Sequence, residues 1–584
     1  MTGVPIASPW SRYGSFMALS AGITRHDHPG REQDVAPGVY ICDVSGSRLW
    51  RWNGVFRLLN LPYAPGGRDG THPLEVRSVT PGRLTLGAGD GQVDVVWIGQ
   101  DTLRFQGSGI AGMTFAEAVL DPLDAAVAVH VADDHWRLLM GEDCHYALHC
   151  WAGSVQVSGP KVRTGESADH GLRTVDVRAT PEGRFDITLT QYETSYTSPD
   201  ITPSVTELAG IVDREADRFF EAFPQVSADL APTAALASQT LWSTTVRPRG
   251  YLTRPSVLMS KNWMHAVWSW DHCFNALGLA DSHPHLAWDQ YNVVLDQQAP
   301  DGSLPDIVHD AGHLTGVVKP PVHGWALGKL LTLMDPPEAE IGRVYPKLVA
   351  LTEWWLSQRD LDDDGLCEYF HGNDSGQDDS AAFDMGFPAV APDLATYLIL
   401  QLDTLGALAA RLGVDNDGRE AKSRADAMSG AMIAKLWNGR SFDTRHALTG
   451  DVAIDNMSQI RFVPLLLGDR LPPRVRAAMI DDLRTSGQIV GCGVASESPR
   501  STQFAEDGYW RGAVWAPTTY LIIDGLRACG EADMAREIAA GFVHNTVRAG
   551  FAENYAASDG RSLRDPSYSW SAAVFWRLAI DYGL

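Results

Sequence analysis

The sequence is short of positive charge and of long apolar runs. Of its 584 residues, 47 are Lys or Arg and 72 are Asp or Glu, so the formal net charge is −25. Binding to nucleic acid or to an anionic membrane surface needs a basic patch, so this balance argues against both partners. The chain has no run of about 18 apolar residues, so no membrane-spanning helix is predicted.

Cysteine is scarce, and its spacing indicates no paired chemistry. The seven cysteines are scattered and form no C-x-x-C pair, which argues against a zinc knuckle and a disulfide framework. Residues 1–18 lack the basic start and apolar core of a signal peptide. We therefore expect a cytoplasmic protein with buried free thiols.

Several common catalytic motifs are missing. There is no G-x-x-x-x-G-K-[ST], no H-E-x-x-H and no G-x-S-x-G, and the 18 histidines show no metal-ligand spacing. A G-x-G-x-x-G pattern occurs at Gly107, Gly109 and Gly112, but it lies among predicted hairpins. Because a dinucleotide site needs a βαβ unit, we interpret this pattern as a glycine-rich turn.

Two kinds of hydrophobic pattern divide the chain. Over residues 1–204, short apolar stretches alternate with turn residues, which is typical of an antiparallel β-sandwich. From Val205 onward, apolar residues recur at helical spacing in about a dozen segments without a fixed repeat; they include 264–281, 392–412, 511–529 and 569–582. We predict a multidomain protein: an N-terminal β-sandwich at 1–204, a helical linker at 205–230 and an all-α catalytic domain at 231–584.

Tryptophan and carboxylates supply the candidate chemistry. Most of the 19 Trp follow residue 240, and many stand beside polar residues. An aromatic ring flanked by polar groups suits a sugar, whose C–H face packs on the ring. Asp378 and Asp379 lie in a Gly-containing loop, and Glu553 lies between Phe551 and Tyr555. Glycoside hydrolysis needs two carboxylates of this kind, one as acid and one as base or nucleophile.

Six segments occur in a characteristic order: W-S-W-D (268–271), Q-x-x-D-G-x-x-P (298–305), P-P-x-H-x-W (320–325), D-S-G-x-D-x-S (374–380), Y-W-R-G-x-V-W (509–515) and E-N-Y (553–555). This set resembles glycoside hydrolase family 63 and the trehalase-like group. The resemblance implies an (α/α)6 barrel and an inverting α-glycosidase, with the active site in the mouth of the barrel.

The resemblance also implies roles for individual residues. Asp378 matches the general acid and Glu553 the general base, and Asp379 is the adjacent alternative for the acid. The residues implied in substrate binding are Trp268, Trp270, Asp271, Gln298, Asp301, His323, Trp325, Tyr509, Trp510, Arg511 and Trp515. Two positions depart from the family pattern: Gln377 stands where Trp is expected, and Lys319 where Gln is common. Both departures bear on substrate selection.

An acidic stretch raises the question of calcium. Asp360, Asp362 and Asp364 alternate before Gly365, as at the start of a calcium loop. Position 12 of such a loop would be His371 and not Glu, so this is not an EF-hand. A structural Ca²⁺ and an acidic turn that ends a helix are the two interpretations. We expect no other metal and no required cofactor.

These observations lead to one functional hypothesis and two alternatives. We expect an exo-acting inverting α-glycosidase of the α-glucosidase type, acting on a small α-linked oligosaccharide or glucoside. An inverting glycoside phosphorylase and a non-hydrolytic carbohydrate-binding protein on the same barrel are the alternatives. The expected partner is a small carbohydrate, and the sequence leaves the oligomeric state open.

Overall fold

An antiparallel β region precedes a region of helices in the computed structural model, which describes residues 8–21, 38–46, 54–60, 74–118, 127–132, 134–140, 144–158 and 174–584. Within these ranges, no helix combines the length and the apolar character that a membrane crossing requires. Six of the cysteines are buried, Cys529 is partly buried, and all seven are free thiols, as predicted.

The β region is built from strands of five to nine residues. In the described ranges they are Met17–Ala21 (β1), Val39–Asp43 (β2), Gly54–Asn60 (β3), Glu75–Val79 (β4), Arg83–Ala88 (β5), Gly91–Ile98 (β6), Thr102–Ser108 (β7), Gly112–Glu117 (β8), Val127–Ala132 (β9), His135–Met140 (β10), Cys144–Ala152 (β11), Ser154–Ser158 (β12), Thr174–Arg178 (β13) and Arg184–Tyr192 (β14). They form two antiparallel sheets, of order β1-β2-β3-β8-β13-β12 and β4-β5-β6-β7-β14-β11-β10-β9.

Aromatic side chains from both sheets meet in a shared core. The ring centroids of Phe105 in β7 and Phe115 in β8 lie 5.3 Å apart, and those of Phe56 in β3 and Tyr146 in β11 lie 5.9 Å apart. The two sheets therefore pack face to face, as in a sandwich. Gly109, with φ of +64°, turns the chain from β7 to β8 in the other sheet, so the glycine-rich pattern is a turn.

The second region is helical. Its α-helices are Val205–Glu221 (α1), Ala231–Thr244 (α2), Asp271–Leu279 (α3), Pro284–Leu295 (α4), His323–Leu333 (α5), Glu338–Gln358 (α6), Pro392–Leu412 (α7), Asp415–Leu436 (α8), Pro473–Ser486 (α9), Ala516–Ala528 (α10), Ala532–Ala549 (α11) and Ser569–Tyr582 (α12). Its 3-10 helices are Gly372–Ser375, Ala381–Phe383, Gln459–Arg470 and Tyr509–Arg511.

Short strands of two or three residues pair within the loops of the helical region. They are Thr245–Val246 (β15), Ser256–Val257 (β16), Val267–Trp268 (β17), Ile307–His309 (β18), Gly312–Leu314 (β19), Glu368–Tyr369 (β20), Ala389–Val390 (β21), Arg445–His446 (β22), Ile489–Val490 (β23), Gly493–Val494 (β24), Asn554–Tyr555 (β25) and Ser562–Leu563 (β26). They tie the loops into hairpins and small sheets and so limit their freedom.

Six helical elements contact one another in a closed ring. The order around the ring is α3, α5, α7, the long 3-10 helix Gln459–Arg470, α10 and α12, which returns to α3. The other helices pack outside: α2 on α12, α4 on α3, α6 and α8 on α7, α9 on the 3-10 helix, and α11 on α10 and α12. Every residue of α3 is buried, as expected for an inner element.

Helix α1 joins the two regions. Ser204 and Glu207 form a capping box at its N-terminus. Its apolar residues Val205 and Leu208 pack on Val96 of β6, and the helix also contacts α2. The chain therefore passes from sheet to helices through a helix that contacts both, and the domain boundaries given above remain a prediction.

Candidate active site

One cavity gathers aromatic and acidic residues from the segments that lead into the inner helices. Its lining consists of Met264, Trp268, Trp270, Asp271, Asp306, Lys319, Asn373, Gly376, Asp378, Tyr509, Trp510, Glu553, Tyr568 and Trp570. Each of these residues precedes α3, α5, α7, α10 or α12, or stands in its first two positions. Residues distant in the sequence thus meet because the ring brings the starts of these helices together.

Asp374 organises the loop that carries Asp378. Its buried carboxylate accepts hydrogen bonds from the backbone N–H of Phe370 (2.9 Å) and Val318 (3.0 Å) and pairs with Arg359 (2.8 Å). Ser375 closes the same loop by donating to the carbonyl oxygen of Gly372 at 2.7 Å. Asp374 is therefore a structural residue of the loop.

Two glycines allow this loop to fold against the cavity. A Cβ at Gly372 would lie 1.8 Å from the carbonyl oxygen of Asp378. A Cβ at Gly376, which has φ of +70°, would lie 2.6 Å from the indole of Trp270. Side chains at either position would displace the loop, so the glycines set where Asp378 stands relative to Trp270.

The two adjacent aspartates of the loop have different surroundings. Asp378 lines the cavity, and its side chain is 30% exposed. Asp379 does not line it; its Oδ1 accepts a hydrogen bond of 2.9 Å from the backbone N–H of Trp510. Burial raises the pKa of Asp379, and the bond from Trp510 opposes that rise. The geometry makes Asp378 the carboxylate that a ligand would meet.

Glu553 enters the cavity from a clamped hairpin. Its backbone N–H donates to the carbonyl oxygen of Asp565 at 2.7 Å, and its carbonyl oxygen accepts a bond of 3.0 Å from Nε1 of Trp570. The next two residues pair in β25 with β26. Glu553 is 1% exposed. The backbone of Glu553 is therefore held by hydrogen bonds at both its N–H and its carbonyl oxygen.

Lys319 is the only cation among the described residues that line the cavity. Its Nζ lies 3.4 Å from Oδ1 of Asp306 and 3.8 Å from Oδ1 of Asp378, and it donates to the carbonyl oxygen of Asn373 at 2.7 Å. Burial alone would lower the pKa of Lys319, but the charges of the neighbouring aspartates outweigh burial and raise it. Lys319 is therefore held as an ammonium.

Two buried carboxylates beside Lys319 bind protons more tightly than usual. Burial raises the pKa of Asp306 to about 6, although Lys319 opposes the rise. Burial also raises the pKa of Asp271 well above its ordinary value. Oδ2 of Asp271 accepts no hydrogen bond from any described residue. A sugar hydroxyl that donates a hydrogen bond to this oxygen would supply the missing partner.

Stacked and edge-on indoles form one wall of the cavity. The rings of Trp510 and Trp515 stack at 3.9 Å with an interplanar angle of 7°. Trp270 lies 6.2 Å from Trp510 and 6.2 Å from Trp570, and Trp515 packs edge-on against Trp570 at 5.6 Å. This wall offers apolar ring faces next to the carboxylates, as sugar binding requires.

The structure brings some of the predicted site residues together and places others elsewhere. Trp268, Trp270, Asp271, Asp378, Tyr509, Trp510 and Glu553 line the cavity. Trp515 belongs to the indole wall but not to the cavity lining; it stacks on the ring of Trp510. Arg511 pairs with Asp384, and Trp325 donates from Nε1 to Asp524 at 2.9 Å.

The remaining predicted residues do structural work outside the lining. Gln298 donates to the carbonyl oxygens of Gly302 (2.9 Å) and Lys347 (2.8 Å), and Asp301 caps a turn through Ser303. His323 is buried at the start of α5, with its ring centroid 5.2 Å from that of His272. Burial lowers the pKa of both histidines, so both rings are neutral.

Six lining residues that sequence reasoning did not assign to the site are Met264, Asp306, Asn373, Gly376, Tyr568 and Trp570. Asp306 follows the matched 298–305 segment, and Tyr568 and Trp570 belong to an aromatic stretch near the chain end. Their nearness to recognised segments was the available signal. Of the two departures from the family pattern, Lys319 lines the cavity, whereas buried Gln377 accepts a bond from Gln459 at 3.3 Å and does not.

The acidic stretch after α6 forms a compact cluster. Ligand oxygens of Asp360, Asp362 and Glu368 lie within 4.8 Å of one another. Asp364 instead pairs with Lys435 at 2.6 Å. Burial, and next the surrounding aspartates, raise the pKa of Glu368 to about 7, although the N–H of Leu361 opposes this. Such a carboxylate would gain from a cation, and calcium there remains a prediction.

Comparison with known proteins identifies the family. Residues 264–571 match the mannosylglycerate hydrolase MGH1-like glycoside hydrolase domain, over more than half of the chain. This chain belongs to that family of glycoside hydrolases. The matched range contains every lining residue of the cavity. The resemblance to glycoside hydrolase family 63 and the trehalase-like group is thereby confirmed.

Characterised relatives share about half of the chain. Mannosylglycerate hydrolase MGH1 of Selaginella moellendorffii is 24% identical over 388 residues, which cover 53% of this chain and 78% of that protein. Glucosylglycerate hydrolase of Mycolicibacterium hassiacum is 23% identical over 402 residues, which cover 53% of this chain and 90% of that protein.

Solved structures show the same fold at low identity. The family 63 mannosylglycerate hydrolase of Thermus thermophilus, in complex with Tris, has a TM-score of 0.52 at 22% identity and covers 58% of this chain and 98% of its own. A bacterial glucoamylase complexed with acarbose has a TM-score of 0.62 at 11% identity and covers 99% of this chain and 94% of its own. The second likeness extends to the β region.

Replacing Lys319 by Gln tests the charge balance of the cavity. We expect a loss of about 3–5 kcal/mol in the free energy of unfolding at pH 7.5, because buried carboxylates lose their cation. The pKa of Asp306 is raised from 3.8 to about 6 in the folded protein. The proton on Asp306 therefore stabilises the fold fully below pH 3.8, and this stabilisation is lost as the pH rises through about 6. Without Lys319 that pKa rises further, so the loss is smaller at pH 4.5. Urea unfolding at both pH values measures it.

Lys329→Gln is the matched control for this variant. Lys329 pairs with Asp524 outside the cavity, and its side chain is 26% exposed. We expect a small loss of stability that differs little between pH 4.5 and 7.5. Equal losses at both pH values for Lys319→Gln would show that Lys319 does not govern these carboxylates.

Calcium is tested by melting temperature. We expect 1 mM Ca²⁺ to raise the Tm by about 2 °C or more over 1 mM EGTA, because a ligand that binds only the folded state stabilises it. Asp362→Asn removes one of the three clustered carboxylates and should abolish the difference. Equal Tm values for the unmodified protein in the two buffers would leave the acidic turn as the correct interpretation.

Proposed function

We propose that this protein is an inverting, exo-acting α-glycosidase with Asp378 as general acid and Glu553 as general base. The observation that carries the proposal is that these two carboxylates, far apart in the sequence, line one tryptophan-walled cavity. Family membership supports hydrolysis of a glycosidic bond. We also infer that the closed ring and its outer helices are an (α/α)6 barrel with this cavity at its mouth.

The mechanism assigns one proton transfer to each carboxylate. Asp378, on the cavity wall and partly exposed, gives its proton to the glycosidic oxygen as the bond to C1 breaks. Glu553 removes a proton from a water that attacks C1 from the opposite face. An inverting pair stands roughly 6.5–9.5 Å apart to hold that water. Asp271 and the indoles would hold the sugar ring during both transfers.

The substrate we favour is a hexose α-linked to glycerate. The two characterised relatives are named for hydrolysis of mannosylglycerate and of glucosylglycerate. Lys319 lies beside Asp378, which protonates the leaving group, so its ammonium would stand on the side of the cavity that receives the aglycone. An anionic aglycone would therefore find its cation there.

A neutral α-glucoside is the second candidate, and the charge of the cavity favours it. Four carboxylates, those of Asp271, Asp306, Asp378 and Glu553, line the cavity with Lys319 as the one described cation. Lys319 already contacts two of them. A lining with this excess of acid repels an anion more than a neutral sugar.

Substituting the two carboxylates tests the catalytic assignment. We expect Asp378→Asn and Glu553→Gln each to lower kcat by roughly 10²–10⁴-fold, because each removes one proton transfer. Initial rates on the best substrate of the unmodified protein measure the loss. Asp379→Asn is the control: it keeps an oxygen for the Trp510 N–H and should stay within about tenfold of normal. If Asp379→Asn is as inactive as Asp378→Asn, the acid is wrongly assigned.

A substrate panel with NMR detection tests the reaction and its stereochemistry. The panel contains mannosylglycerate, glucosylglycerate, the corresponding glycosylglycerols, trehalose and isomaltose. We expect hydrolysis of an α-linked member with the β-anomer formed first, because an inverting pair delivers water to the opposite face. An α-anomer formed first would contradict the mechanism. Turnover only with phosphate would support a phosphorylase, and binding without turnover a carbohydrate-binding protein.

A further inference from the structure

The N-terminal β region packs directly on the loops that support Glu553. Ser11, Ser15 and Ser20 contact Lys261 and Asn262, which lie in the segment that leads toward α3. Lys261, fully buried, donates from Nζ to Oγ of Ser11 at 3.0 Å and to the carbonyl oxygen of Ser15 at 2.6 Å. Ser8 and Ser567 share a hydrogen bond of 3.1 Å between their Oγ atoms. The two regions are thus joined by buried polar contacts.

One line of hydrogen bonds crosses this junction and ends at Glu553. Oγ of Ser20, in β1, donates to Oδ1 of Asn262 at 2.6 Å. Nδ2 of Asn262 donates to Oδ1 of Asp565 at 2.9 Å. The carbonyl oxygen of Asp565 accepts the backbone N–H of Glu553 at 2.7 Å. Ser20, Asn262 and Asp565 are fully buried.

Each bond in this line fixes the direction of the next. An Asn amide can be turned over so that its oxygen and nitrogen exchange places. Oδ1 of Asp565 is an acceptor, so the group of Asn262 that faces it is the NH₂, and the amide oxygen then faces Oγ of Ser20, which donates to it and also lies 3.2 Å from the carbonyl oxygen of Ala21. The N–H of Ser567 donates to the same oxygen of Asp565 at 3.0 Å, which fixes the backbone beside Glu553.

We infer that Ser20, Asn262 and Asp565 are positioning residues for Glu553, and that the N-terminal β region thereby forms part of the catalytic apparatus. The inference rests on the proposed role of Glu553 as general base. A general base must stand within hydrogen-bond reach of the water it activates. A displacement of about 1 Å can lower a rate on the order of 10²-fold, even when its origin is remote. Buried polar networks transmit such displacements because their groups have no water to replace a lost partner.

The test uses Ser20→Ala and Asn262→Ala in the full chain. We expect kcat to fall about 10- to 100-fold, while KM and the inhibition constant of the free hexose stay within about twofold. The contacts proposed for the hexose are with the indoles and Asp271, which these variants leave in place. A Tm within a few degrees of normal shows that the fold persists.

Glycosyl fluorides separate the base from the acid. Fluoride leaves C1 with little help from a proton donor, but the water still needs a base. The probes are α-D-mannosyl fluoride and α-D-glucosyl fluoride, of which the one that the unmodified protein hydrolyses is used. Asp378→Asn should regain much of its rate on the fluoride. Ser20→Ala and Asn262→Ala should remain slow on both substrate types, as Glu553→Gln does.

Ser15→Ala is the matched control. Ser15 lies in the same segment and is fully buried, but its hydroxyl bonds only to the backbone of Met17. It should keep normal kcat on both substrate types. Normal kcat for Ser20→Ala and Asn262→Ala, with Glu553→Gln inactive, would overturn the inference and leave the proposed function standing. An active Glu553→Gln would overturn the proposed function itself.

Discussion

A single buried ammonium, that of Lys319, offsets part of the negative charge of the acidic cavity. Asp271 lies at the start of α3, Asp306 in the segment before α5 and Asp378 in the loop before α7. The mutual repulsion of their carboxylates opposes bringing these three parts of the chain together. The ammonium of Lys319 lies within 4 Å of Asp306 and Asp378 and also holds the carbonyl oxygen of Asn373. It thereby joins the segment before α5 to the loop before α7. Because a buried charge without a partner is strongly unfavourable, the cation and the carboxylates require one another.

The ring of helices and the loops before them fix the positions of these charged side chains. The ring places the starts of the inner helices side by side, but the side chains stand on the loops before them. Those loops are held by other residues: Asp374 within the loop that carries Asp378, and Asp565 and Trp570 around Glu553. The loops that carry Asp378 and Glu553 are therefore held in place by residues other than these two carboxylates.

The sequence allowed the helices to be predicted better than their starting points. Helices α7 and α12 span 392–412 and 569–582, as their apolar periodicity predicts. Helix α3 was expected from residue 264 but begins at Asp271, because the apolar residues before it are buried as loop. Similarly, α10 begins at Ala516, with Pro at its start, and not at 511. Apolar periodicity indicates which residues are buried, and a buried loop such as residues 264–270 can have the same apolar periodicity as a helix.

The site was predictable where a residue type carried the chemistry and not where a residue served the loop. Asp378 and Glu553 are predicted because hydrolysis needs carboxylates, and the structure places both in the cavity lining, while their catalytic roles remain a prediction. Gln298 and Asp301 belong to a recognised segment but hold its turn together. Asp306 was missed because only the fold shows it buried beside Lys319. Long-range contacts of this kind leave no local pattern in a single sequence.

The N-terminal β region also contributes buried long-range contacts that position a cavity residue. The family match begins at residue 264, so the sheets lie outside the part that defines the chemistry. Their edge strand nevertheless donates through Ser20 into the loop that leads to α3, and that loop bonds to Asp565. Ser20 and Asn262, which meet at this junction, are fully buried. Water therefore cannot replace their hydrogen bond if the β region shifts. Where Glu553 stands therefore depends on residues more than five hundred positions earlier in the chain.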